Sequence, residues 1–136
     1  MDLKGIINVS GKPGLFKIIS EAKNLLIIES LSDGKKIPLH SNNQATMLEE
    51  IGIYTYEDTK PLGEIFQKIT KKENGKQAIS NKSPQVDLKN YFRDILPEYD
   101  EDRVYVSDIK KVIQWYNIMQ SANLIPIPKK KKEKKK

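Results

Sequence analysis

A chain of 136 residues without cysteine fits one unit or two small ones sharing a core, and it excludes disulfides, thiolate zinc sites and cysteine nucleophiles. Its net charge of +6 is held entirely by residues 129–136, which contain seven lysines and Glu133; the other 128 residues carry 17 basic and 17 acidic side chains, so a nucleic-acid reading rests on the tail alone. No apolar run approaches the ~18 residues of a membrane span, residues 1–10 lack the pattern of a signal peptide, and the expected location is the cytoplasm.

The first 56 residues read as strands and turns. Ile6, Ile7 and Val9 precede the turn Gly11-Lys12-Pro13-Gly14. Residues 15–20 form a second strand, 21–24 a polar turn, and 25–30 a third strand, apolar on both faces in its first half and so expected in the sheet interior. Ser32-Asp33-Gly34 is a tight turn. Residues 35–39 alternate, but Pro38 has no N–H for a ladder and marks an edge strand. Residues 41–46 read as a polar loop, 48–50 as one short turn and 51–55 as a last strand. Five strands in so short a stretch predict an SH3-like β-barrel or a bent antiparallel sheet, too small to stand without support from the rest of the chain.

From Pro61 the period changes to that of helices. Asp58 or Thr59 caps, Pro61 sits in the first turn, and Leu62, Ile65, Phe66 and Ile69 form an apolar stripe ended by Asn74-Gly75. Ser83 caps a second helix with Pro84 at its first position and the stripe Leu88, Tyr91, Phe92, Ile95. Residues 104–106 are extended. Ser107 caps a third helix, with Ile109, Val112, Ile113, Tyr116 and Met119 on one face, widened by Trp115 and Ile118. That width implies burial on more than one side. The fold class is α+β: residues 1–58 a small β domain, 59–125 a helical domain, 126–136 a disordered lysine-rich tail.

The chain offers little reactive chemistry. Glu98, Asp100, Glu101 and Asp102 are its densest acidic cluster, but counting from Asp100 the sixth residue is Tyr105, not the glycine an EF-hand needs. A solvated loop, with Arg103 offsetting some of its charge, is the simpler reading. His40 is the one histidine and lacks partners for a zinc site. Glu29 and Lys36 break the Walker pattern around Gly34-Lys35, and no serine sits in a nucleophile-elbow setting. No catalytic, metal or cofactor residue is expected, and the chain is not expected to be an enzyme.

Binding is the remaining class. Lys129, Lys130, Lys131, Lys132, Lys134, Lys135 and Lys136 would give salt-sensitive, sequence-independent attraction to RNA or DNA. Phe16, Tyr54 and Tyr56, on the β domain, could stack bases. The same residues have plainer roles as a solubilising tail and as core packing. The leading expectation is a non-enzymatic adaptor that binds proteins through its surface, with nucleic-acid association through barrel and tail as the alternative. Membrane association is not expected.

Two stretches carry a resemblance. The first is Gly11-Lys12-Pro13-Gly14-Leu15-Phe16-Lys17 with Glu29-Ser30-Leu31 and Asp33-Gly34-Lys35-Lys36. The second, more specific, runs from Asp102-Arg103-Val104-Tyr105-Val106-Ser107-Asp108-Ile109-Lys110-Lys111 to Trp115-Tyr116-Asn117. Together they are similar to an uncharacterised family of short bacterial proteins known only as a domain of unknown function. The resemblance spans about residues 1–125 and implies a small β domain followed by a helical one. It implies no activity, ligand or site residue.

Overall fold

The computed structural model describes residues 3–12, 14–40 and 44–124. The lysine tail lies outside them. Strands β1 (Ile6–Val9), β2 (Phe16–Ala22), β3 (Leu25–Ser30) and β4 (Lys36–His40) form an antiparallel meander, and β5 (Ala45–Met47) returns to the far side of β1. The sheet order is β4-β3-β2-β1-β5. It is the open, bent sheet of the two expected forms. The barrel is not closed, because β4 and β5 do not pair. Pro38 lies opposite Ile27 at a position whose backbone nitrogen faces the outer edge, so β4 cannot ladder onward there. The register slips between Ile18 and Ser20, a bulge that leaves Ile19 outside the pairing and increases the local twist.

Several local expectations need correction. The β2–β3 connection is two residues, Lys23 and Asn24, with Asn24 left-handed at φ 59°, because Glu21 and Ala22 continue the ladder. Residues 41–46 are not all loop, since Ala45, Thr46 and Met47 pair with Val9, Asn8 and Ile7. Three residues are too few to show a period of two. The expected fifth strand is shorter, β6 (Gly52–Tyr54), and pairs in a separate two-stranded sheet with β7 (Thr59–Pro61), which the sequence suggests is a helix start.

Helices α1 (Leu62–Glu73), α2 (Gln85–Ile95) and α3 (Val106–Ser121) follow the apolar stripes, and the buried residues of α1 and α2, apart from Thr70, are all hydrophobic or aromatic. Asn74 ends α1 in the left-handed region, φ 57°. Ser83 does not cap α2. Pro84 holds the cap position in extended geometry, so the serine is one residue too far away. Ser107 likewise lies inside α3. Tyr105 precedes the helix, and the Asp108 carboxylate accepts the Tyr105 N–H at 3.0 Å.

The sheet buries two faces. Ile7, Val9, Phe16, Ile28 and Leu39 form a small cluster on one of them. On the other, Leu3, Ile6 and Leu15 join Leu48 and the helical stripes in the main core. Phe66 meets Tyr116 edge-on at 6.1 Å, and Phe92 meets Tyr99 at 5.0 Å. Trp115 and Tyr116 are core residues, as the wide stripe on α3 implies. The loop between α1 and α2 is tied to α3. Asn117 accepts the Ala78 N–H at 2.7 Å and donates to the Ile79 carbonyl at 3.1 Å, while the Tyr116 hydroxyl donates to the Lys76 carbonyl. No helix among the described residues is long and apolar enough to cross a membrane.

Candidate interaction surface

Alternation through β6 and the two residues that follow it sorts the side chains. Ile53 and Thr55 point into the core, at 6% and 1% exposure, and Tyr54 and Tyr56 point out, at 46% and 60%. Thr55 closes the turn to β7: its hydroxyl accepts the Asp58 N–H at 2.9 Å and donates to the Asp58 carboxylate at 2.8 Å. Thr55 N–H donates to the Asp58 carbonyl and Leu62 N–H to the Ile51 carbonyl. The Ile51 carbonyl, the Ile53 backbone groups and the Thr55 N–H therefore face β7, and the groups of Gly52 and Tyr54 and the Tyr56 N–H face the opposite edge, while the Ile51 N–H donates to the Leu48 carbonyl and the Thr55 carbonyl accepts Arg103 Nη2 at 3.4 Å.

Half of that opposite edge is covered by the loop after α2. Tyr56 N–H donates to the Glu98 carbonyl at 3.1 Å, and Asp100 N–H to the Tyr54 carbonyl at 2.9 Å. Thr55 and Tyr99 form a single antiparallel bridge. Tyr99 is buried to 1% exposure and anchors the loop. The chain then turns away, with Arg103 N–H and Val104 N–H both donating to the Asp100 carbonyl.

That turn organises the acidic cluster. The Asp100 carboxylate accepts Arg103 Nε at 2.8 Å and the Asp102 N–H at 3.0 Å. The Arg103 hydrogen bond is the main reason the Asp100 carboxyl sits below its ordinary value of 3.8. Glu101 pairs instead with Arg93, at 3.1 Å. Asp100 and Glu101 are thus divided between two arginines, and no group of three or more potential metal ligands exists among the described residues. Arg103 offsets the acidic charge as its position in the sequence suggests. Its second role is not visible there: the guanidinium lies over the Tyr54 ring, 4.3 Å from the centroid.

Beyond the turn, a cleft of about 240 Å³ separates the uncovered half of β6 from α3. Ile51, Gly52 and Tyr54 form one wall and Arg103, Lys111 and Trp115 the other. Tyr105, 65% exposed, stands at the start of α3. A second, larger cleft of about 530 Å³ lies between Ser32 and the amides Gln77, Asn81, Gln114 and Asn117. Among the described residues that line it none is charged, and its Gln77 and Asn117 are engaged in holding the inter-helix loop.

The aromatic residues singled out from sequence separate. Phe16 is buried at 6% in the smaller cluster, where it packs and presents no face for stacking. Tyr54, the last residue of β6, and Tyr56, just beyond it, are both exposed. Lys129, Lys130, Lys131, Lys132, Lys134, Lys135 and Lys136 lie outside the described residues. His40 is exposed at the end of β4. Nothing in the sequence marks Lys111 and Trp115 as sharing a cleft with Tyr54. Only the alternation of residues 53–56 hints at an outward tyrosine face.

Comparison with known proteins agrees with the resemblance. A family described as a domain of unknown function (DUF5606) matches residues 3–48, and another, also a domain of unknown function (DUF6852), matches residues 51–119. A solution NMR structure of a Bacteroides vulgatus protein, a Northeast Structural Genomics Consortium target, is similar, with 40% sequence identity and a TM-score of 0.76. The similarity covers 93% of this chain and 91% of that one. No curated protein matches the chain. With an N-terminal segment matching DUF5606, the chain belongs to the DUF6852 family of uncharacterised bacterial proteins.

Proposed function

We propose that the protein is a non-enzymatic cytoplasmic binding module that docks a protein partner on the surface formed by Tyr54, Tyr56 and Arg103, with the exposed Tyr105 two residues further along the chain. The observation that carries this reading is the exposed tyrosine pair, Tyr54 on the paired strand and Tyr56 just beyond it held by the Glu98 carbonyl, with Arg103 stacked on the Tyr54 ring. Tyrosine, tryptophan and arginine are the types that dominate binding energy at protein interfaces. Strand pairing and stacking order these side chains before a partner arrives, which lowers the entropic cost of docking.

The test is affinity capture with the full chain from nuclease-treated lysate of the native host, comparing wild type with the combined Tyr54→Ala, Tyr56→Ala, Tyr105→Ala variant. Selective loss of captured proteins from the variant supports the reading; an unchanged set overturns it. Exposure of Tyr54 and Tyr56 also suits a second reading, sequence-independent binding of RNA or DNA with affinity from residues 129–136. That reading requires binding that is abolished by nuclease, weakens with salt and is lost on deletion of residues 129–136.

A further inference from the structure

The uncovered half of β6 carries backbone groups that the fold does not use. The Gly52 N–H, the Gly52 carbonyl and the Tyr54 N–H face away from β7 and have no hydrogen-bond partner among the described residues. Pro61, opposite Gly52, could not have donated to it in any case. The loop that pairs with Tyr54 and Tyr56 leaves the edge at Asp100. Where it leaves, the cleft opens, and Gly52 and Tyr54 line it. The edge is therefore a strand position begun by the chain itself and left unfinished.

We propose that this position accepts an extended peptide of alternating apolar and acidic residues, added to β6 as the next strand. The inference rests on the protein-binding reading above and specifies its partner. Backbone pairing at Gly52 and Tyr54 would supply the hydrogen bonds, as in other strand-addition complexes. Side chains on one face of the peptide meet the apolar part of the cleft lining, Ile51, Val112 and Trp115. Those on the other face meet the side on which Arg103 covers Tyr54.

Charge selects the peptide. Of the two carboxylates nearest the cleft, Asp100 is held by Arg103 Nε and the Asp102 N–H, and Asp108 by the Tyr105 N–H. Lys111 makes no ion pair with a described residue, and the Arg103 side chain, though held by Asp100 and the Thr55 carbonyl, is half exposed. Asp108 keeps its charge on the same rim and Asp100 offsets Arg103, so Lys111 is the cation left to meet an incoming acidic side chain. The chain's own residues 125–136 are the wrong occupant, since they carry seven lysines and two prolines.

The experiment is NMR titration of the full-length, nitrogen-labelled protein with a capped hexapeptide of alternating valine and glutamate. Two control peptides are used, one with lysine in place of glutamate and one N-methylated at alternate backbone nitrogens. The expected result is a downfield shift and slowed exchange of the Gly52 and Tyr54 amides. Binding of the glutamate peptide should weaken about tenfold in Lys111→Glu, an exposed helix-surface change that keeps the spectrum's dispersion. Both control peptides should bind at least about tenfold more weakly to the wild type. Unmoved Gly52 and Tyr54 amides at about 1 mM peptide, or an N-methylated peptide that binds as well as its parent, overturns the inference. Should the peptides fail while the triple tyrosine variant still loses its partners, only the strand-addition step is wrong; an unchanged captured set removes the broader reading instead.

Discussion

Asp100 shows how one residue can serve the fold and the surface together. Its carboxylate holds Arg103, and Arg103 in turn covers Tyr54. Because the Arg103 hydrogen bond lowers the folded-state value of Asp100 below 3.8, its stabilising effect is complete above that value and disappears as pH falls through the lower folded one. Asp100→Asn should therefore lower the urea midpoint near neutral pH, with the gap to wild type closing below about pH 4. Asn117 is a second residue with a defined task, since both ends of its amide hold the loop at Ala78 and Ile79. Asn117→Ala leaves both backbone groups unpaired and should cost about 1–3 kcal/mol in urea denaturation, with the added loss of amide-exchange protection at Ala78.

At the scale of elements, β6 and β7 are two strands of three residues, marginal without their surroundings. They persist because Ile53 and Thr55 are buried, the Thr55–Asp58 turn is closed by side-chain hydrogen bonds, and the loop at Tyr99 adds to the far edge. Gly52 is required for close packing: a Cβ there would overlap Thr59 Cγ2 across the pair. Gly52→Ala should destabilise by about 1–3 kcal/mol. Adding Thr59→Ser removes the clashing methyl and should recover most of that loss, a coupling that a double-mutant cycle with thermal melts would measure.

At the scale of the molecule, the two family segments meet in one core. Leu3, Ile6, Leu15 and Leu48 from the N-terminal segment pack in the same cluster as Leu62, Phe66, Phe92 and Tyr116. A fragment of residues 1–50 would expose that face and keep only the small cluster around Phe16 and Ile28. It is expected to show no cooperative thermal transition and to bind a hydrophobic dye, whereas the full chain melts in one step. Independent cooperative melting of the fragment would mean that the sheet needs no cover from the helices. The uncharged cleft between Ser32 and Asn117 lies along the same junction, where the loop after β3 faces the loop held by α3.

Much of this architecture is written in local patterns. The stripes of α1 and α2 and the wide stripe of α3 are legible because each spans several turns, so the period repeats within the element. Pro38 at an edge, Asn74-Gly75 as a stop and neutrality outside the tail follow from single residues or simple counts. Strands β5 and β7 are hidden because three residues carry no period, and the caps of α2 and α3 fall on Pro84 and Tyr105, one position or more from the serines, because the helices begin at Gln85 and Val106. The tyrosine surface depends on the tertiary structure altogether. Tyr54 meets Arg103 across 49 positions of sequence only because Tyr99 is drawn into the core and pulls its loop against β6. Whether the edge of a strand is covered or open is settled by which distant segment reaches it, and no local pattern encodes that.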